Sequence, residues 1–154
     1  MTPAINLAKK HKINHIVHQY SHDESVVSYG LEAVEKLNVE ASRVFKTLVV
    51  INEQKTLFVA IVPVEQKLNL KLFAKACHSK KVTMAEPKLV ERSSGYVLGG
   101  VSPLGQKRIL ASIIDESATS HKTIFVSAGK RGLEIELAPQ DLRSLLNASF
   151  QHIT

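Results

Sequence analysis

Val44-Phe45-Lys46-Thr47-Leu48-Val49-Val50-Ile51 is an apolar run of strand length, bounded by polar residues and interrupted by one lysine. Such runs, rich in β-branched and aromatic residues, read as buried strands. A lysine is costly there, because its ammonium must stay hydrated or find a partner. Two readings stand open. Lys46 packs its stem and sends its head to water from a strand end, or it is a cation held at the mouth of a cleft. Asn52-Glu53-Gln54-Lys55 follows as a polar turn, and Thr56 to Val62 is a second strong strand closed by Pro63. The two strands predict an antiparallel hairpin around which the rest of the chain is arranged.

Upstream, Thr2-Pro3 has the form of a helix cap followed by proline at the first helical position. The helix is expected to end near Lys12. Ile16 to Tyr20 alternates like a strand, and Leu31, Val34 and Leu37 recur at helical spacing with Asn38 as the stop. Downstream, Asn69 can cap a helix whose apolar face is Leu70, Phe73, Ala74 and Cys77. Val82 to Met84 is a short strand, and Pro87 opens a brief helix ended by Gly95. Ile109 to Ile114, Thr123 to Ser127 and Leu133 to Leu137 are three more strands, the last two joined by Gly129-Lys130-Arg131-Gly132. Pro139 to Leu146 is a last helix. Strands outnumber helices without regular alternation, which excludes a doubly wound sheet. The expected fold is α+β: one domain over residues 1–154, a mixed, curved or barrel-like sheet with surrounding helices.

The chain has 154 residues, 44% of them hydrophobic, enough for one substantial core. No apolar run approaches the roughly 20 residues that span a bilayer, so no membrane association is expected. The single cysteine, Cys77, cannot form an internal disulfide, and the N-terminus lacks the pattern of a secretory leader; a cytoplasmic location is expected. A net charge of +6 permits a polyanionic partner. The cations are spread as pairs, among them Lys80-Lys81, Lys107-Arg108 and Lys130-Arg131, which fits a folded basic face better than a disordered arm.

Standard catalytic and metal signatures are missing. There is no CxxC, HExxH or calcium loop, and His15 and His18 on one strand would point to opposite faces. No metal or cofactor is expected. Gly100-Val101-Ser102-Pro103-Leu104-Gly105-Gln106-Lys107 has the glycine spacing of a phosphate loop but lacks its Lys and Ser/Thr. Ser102 is not a nucleophile elbow, because Leu104 stands where glycine is required. What the stretch does offer is Gly99-Gly100, where backbone can approach a ligand and present N–H groups. Ser127 and Glu134, on either side of a short turn, are expected to lie close together.

Phe45 to Val50, Gly99 to Gly105 and Ser127 to Leu137, in that order, resemble the YbaK branch of the YbaK/ProX aminoacyl-tRNA deacylases. That family is similar to the editing domain inserted in bacterial prolyl-tRNA synthetases, and the resemblance covers essentially the whole chain. It implies removal in trans of a wrong amino acid from tRNA. For this branch the substrate is Cys-tRNA(Pro), with Cys-tRNA(Cys) a further candidate and Ala-tRNA(Pro) the alternative. Prolyl-tRNA synthetase admits cysteine because small differences in size supply too little discrimination, so a second site must edit. A non-catalytic module that binds tRNA or the synthetase is the other alternative.

By position, the resemblance makes Lys46 the lysine beside the substrate ester, and Gly99 and Gly100 the loop facing the aminoacyl carbonyl. Tyr20, Tyr29, Phe45, Thr47, Ser127 and Glu134 become pocket residues. Tyr29 stands where the family commonly has phenylalanine, and Glu134 where it has aspartate. Lys130 and Arg131 are the expected contacts to the tRNA body. The family also implies a mechanism in which the substrate thiol attacks its own ester, with hydrolysis by water the competing route, and an association with prolyl-tRNA synthetase that selects the tRNA.

Overall fold

The computed structural model describes residues 1–26 and 28–154. The hairpin that organises the sequence is its spine. β2 (Phe45–Asn52) pairs antiparallel with β3 (Leu57–Pro63), Lys46 opposite Val62 and Thr47 opposite Ile61. The turn between them is held by Asn52, whose Oδ1 accepts from the amides of Gln54 at 3.0 Å and Thr56 at 2.8 Å. The other strands are β1 (His15–Gln19), β4 (Val82–Met84), β5 (Ala111–Asp115), β6 (Ile124–Lys130), β7 (Leu133–Leu137) and β8 (Ser149–Gln151). The helices are α1 (Pro3–Lys10), α2 (Tyr29–Leu37), α3 (Leu70–Ala76), α4 (Pro87–Ser94) and α5 (Pro139–Leu146).

The α+β class is as expected, but the strands form two sheets rather than one. A five-stranded mixed sheet runs β4-β2-β3-β5-β8, and a three-stranded antiparallel sheet runs β1-β7-β6. Among the described residues a parallel bridge, Val44 to Phe125, links them. The main core fills the space between the sheets, with Phe45, Val59 and Ile61 meeting Ile124, Val126, Ile135 and Leu137. Ala4, Ile5 and Ala8 of α1 and Leu142 of α5 pack into the same core. The far face of the large sheet is covered by Phe73 and Ala74 of α3. Ala33 of α2 packs with Val44 and Phe125 beside the bridge.

Local chemistry sets the element ends. Thr2 Oγ1 accepts from the Ile5 amide at 3.2 Å, and Asn69 Oδ1 from the Leu72 amide at 3.0 Å, each satisfying a helix donor left free at the first turn. α1 stops at Lys10, two residues before the expected end. Cys77 is the C-terminal cap of α3 and packs with Phe73 and Ala74 on its apolar face, with its thiol toward the Ala74 carbonyl. Ile109 lies outside β5 and is 96% exposed, so its apolar character is not strand burial. β8 and the two short 3-10 turns at Ala41–Arg43 and Glu116–Ser120 carry no periodic signal of their own.

Candidate active site

The site exists because β4 is too short. β4 pairs only with Val50, Ile51 and Asn52 of β2, and the Ala85 amide closes the edge at the Val49 carbonyl, 3.0 Å away. From Phe45 to Leu48 the edge of β2 borders a cavity of about 450 Å³. The cavity is walled by β2, by the start of α2, by the loop after α4 and by the facing ends of β6 and β7. Tyr20, Tyr29, Phe45, Lys46, Thr47, Gly99, Ser127, Arg131 and Glu134 all line it. Side chains spread over more than a hundred residues of sequence thus share one wall system.

The Lys46 ammonium forms no ion pair or hydrogen bond with any described residue. Its pKa is lowered from the ordinary lysine value, first by loss of solvent and then by the nearby Lys67 ammonium. Both effects disfavour the charged form and both would be relieved by a bound anion. Lys46 lines the cavity and is half-buried, a placement that suits either reading open from sequence.

Glu134 is the opposite case. It faces Ser127 directly across the β6–β7 ladder, as the short turn suggested. Burial pushes its carboxyl up to about 8. At neutral pH it is a carboxylic acid that can donate as well as accept. Tyr20 is pushed up to about 12, by burial first and by Glu134 and Glu32 next, so it remains a neutral phenol. Thr47 Oγ1 is buried and has no partner among the described residues. An orphaned hydroxyl carries a cost that ordinary core positions avoid.

The two glycines separate. Gly99 lines the cavity with φ at +93°, in the region that favours glycine, and a Cβ there would stand 3.0 Å from Tyr29 Cε2. Gly100 is not on the cavity wall. Its N–H donates to the Val97 carbonyl at 3.0 Å, and a Cβ on it would lie 2.9 Å from Lys130 Cα. Gly100 lets the loop press against the β6–β7 turn, and its N–H is already used. Gly99 N–H makes no main-chain bond with a described residue.

Lys130 and Arg131 also separate. Lys130 is exposed. Arg131 turns inward: its Nη2 donates to the Val26 carbonyl at 3.1 Å and meets Glu32 Oε1 at 3.4 Å. Its guanidinium carbon lies 4.4 Å from the Tyr29 ring centre. Glu32 was not legible as a site residue, since its partner is 99 positions away. Among the described residues no group of three or more His, Cys, Asp or Glu could hold a metal ion. His18 instead pairs with Glu136 at 2.8 Å, and His15 Nδ1 lies 2.6 Å from the Ile13 carbonyl.

Comparison with known proteins gives the family. The sequence profile of the aminoacyl-tRNA editing domain matches residues 23–145. A candidate Cys-tRNA(Pro)/Cys-tRNA(Cys) deacylase of Enterococcus faecalis, EbsC, is 39% identical over 99% of this chain and 93% of its own. In structure, a candidate trans-editing enzyme for prolyl-tRNA synthetase superposes with a TM-score of 0.81, covering 98% of this chain and 92% of that one at 19% identity. A hypothetical protein superposes at 0.84, covering 96% and 97%, also at 19% identity; both share the fold. The chain belongs to the aminoacyl-tRNA editing domain family, and it is an aminoacyl-tRNA deacylase.

Proposed function

We propose that this deacylase removes cysteine in trans from mischarged Cys-tRNA(Pro), and from Cys-tRNA(Cys) where that tRNA reaches it. The observation that carries the reading is the Lys46 ammonium, without a charged partner among the described residues, in one cavity with Gly99 and the buried Glu134 carboxyl. The cavity thus holds two groups of different chemistry. Lys46 suits the anionic, ribose-bearing end of an aminoacyl-tRNA. Glu134 and Ser127, with Tyr20 beside them, suit the α-amino group, because a neutral carboxyl can hold an amine in either protonation state. The name given to the relative from E. faecalis supports the cysteinyl substrate.

Among the described residues lining the cavity Glu134 is the one carboxyl, burial pushes it toward the neutral acid, and no imidazole joins it. The reading is therefore substrate-assisted. The cysteinyl sulfur attacks its own ester carbonyl, forming the S–C bond. The C–O bond to the terminal ribose breaks, and the thiol proton ends on the departing 3′ oxygen. Water then opens the cyclic thioester to free cysteine. The protein supplies orientation and charge stabilisation. Gly99 N–H is the donor available to the developing oxyanion, and Lys46 stabilises the departing oxygen. Phe45, Thr47 and Tyr29 shape the pocket.

The tRNA body meets the protein through exposed cations, with Lys130 at the β6–β7 turn the first contact assigned. A domain of this size reads little of a tRNA by itself, so association with prolyl-tRNA synthetase directs it to tRNA(Pro). That places it in the cytoplasm; no helix among the described residues is long and apolar enough to cross a membrane. The test is a deacylation panel with tRNA(Pro) charged with cysteine, alanine or proline. The wild type is expected to clear the cysteinyl ester at least tenfold faster than either other. Preferred clearance of the alanyl ester would assign it the alternative specificity, and binding without turnover would contradict the reading.

A further inference from the structure

Arg131 is the residue whose place is least explained by contact with tRNA. It leaves the β6–β7 turn and points inward, bonding through Nη2 alone, while its buried Nε has no partner among the described residues. Nη2 serves the Val26 carbonyl at 3.1 Å, the Asp23 carbonyl, and Glu32 Oε1 at 3.4 Å. Glu32 is committed as well. Its side chain is 1% exposed, and its other oxygen accepts from the Asp23 amide at 2.7 Å. The guanidinium also lies over the Tyr29 ring, 4.4 Å from its centre. Tyr29 begins α2, lines the cavity and packs against Gly99.

We propose that Arg131 is a positioning residue that sets the width of the aminoacyl pocket: clamped by Glu32 and two main-chain carbonyls, its guanidinium fixes Tyr29 as the wall facing Gly99. The inference rests on the deacylase reading above and adds its specificity device. A planar guanidinium can bond in its plane while offering its face to an aromatic ring; a lysine ammonium keeps the charge but loses the face. The clamp also joins three separate pieces of chain: the β6–β7 turn, the approach to α2, and through Tyr29 the loop at Gly99. Loss of the clamp releases the ring, and the pocket then admits a bulkier acyl group. A pair that served only stability would slow all substrates alike.

The test compares cysteine with penicillamine on the same tRNA(Pro). Penicillamine keeps the thiol and adds two methyl groups, so it probes width without removing the nucleophile. For Arg131→Lys, Arg131→Met and Glu32→Gln, the ratio of kcat/KM for cysteine over penicillamine is expected to fall about tenfold, the scale of one or two methyl groups in a pocket. Tyr29→Ala lowers the ratio similarly, and Arg131→Met added to it lowers the ratio no further, because both act through one ring. Should Arg131→Met not fold, Arg131→Lys and Glu32→Gln give the same reading. A ratio unchanged within about twofold, or effects of Arg131 and Tyr29 that multiply, overturns the inference. A wild type inactive on both esters overturns the functional reading and the inference with it; an active wild type with an unmoved ratio in the variants overturns the inference alone.

Discussion

Lys46 and Glu134 sit in one cavity and are pushed toward neutrality from opposite sides, each by loss of solvent. Their roles differ because only Lys46 is expected to meet an anion. Lys46→Ala is expected to lower kcat on Cys-tRNA(Pro) by about a hundredfold or more, the scale of removing one electrostatic stabiliser. Its melting temperature should stay near that of the wild type, since the ammonium has no described partner to lose. Glu134 gives a stability prediction. Its folded pKa, about 8, lies above the unfolded 4.5. Its contribution is therefore fully present below 4.5 and is lost as pH rises through 8. Glu134→Gln should abolish that loss, gaining on the order of 3 kcal/mol over wild type at pH 9 relative to pH 5 in urea unfolding. The cost of a lysine at position 46 was legible in the sequence. The environment of Glu134 was not, because its burial depends on strands and helices brought together from elsewhere.

At the level of elements, the hairpin and the capped helices were legible because their signals are local: Asn52 bonds within its own turn, and Thr2 and Asn69 each bond three residues ahead. The division of strands between two sheets was not, because alternation specifies a face and not a partner. The Gly99-Gly100 pair reads in sequence as one flexible unit, yet its members do different work. Gly99→Ala places a side chain at positive φ and against Tyr29, so it should reduce activity at least tenfold while the protein still folds. Gly100→Ala presses on backbone at Lys130 and Arg131, so it should cost stability instead, about 1–3 kcal/mol in denaturant unfolding. Equal effects of the two substitutions on both readouts would contradict the separation.

On the scale of the whole molecule, the proposed function assigns attraction of the tRNA to the net charge of +6 and the chemistry to the cavity. Raising salt from 50 to 200 mM should raise KM for charged tRNA steeply while leaving kcat nearly unchanged, because counterion release governs binding of the tRNA and not the cleavage step. Addition of prolyl-tRNA synthetase should recover part of the loss for tRNA(Pro) and not for tRNA(Cys). The central claim is that the Lys46 cavity cleaves a cysteinyl ester with the substrate's own thiol. It is tested most directly by single-turnover deacylation of Cys-tRNA(Pro) and Ser-tRNA(Pro), which differ by one atom at the proposed nucleophile. Rapid loss of cysteine with serine retained at the uncatalysed rate is the predicted result; equal clearance of both would contradict it.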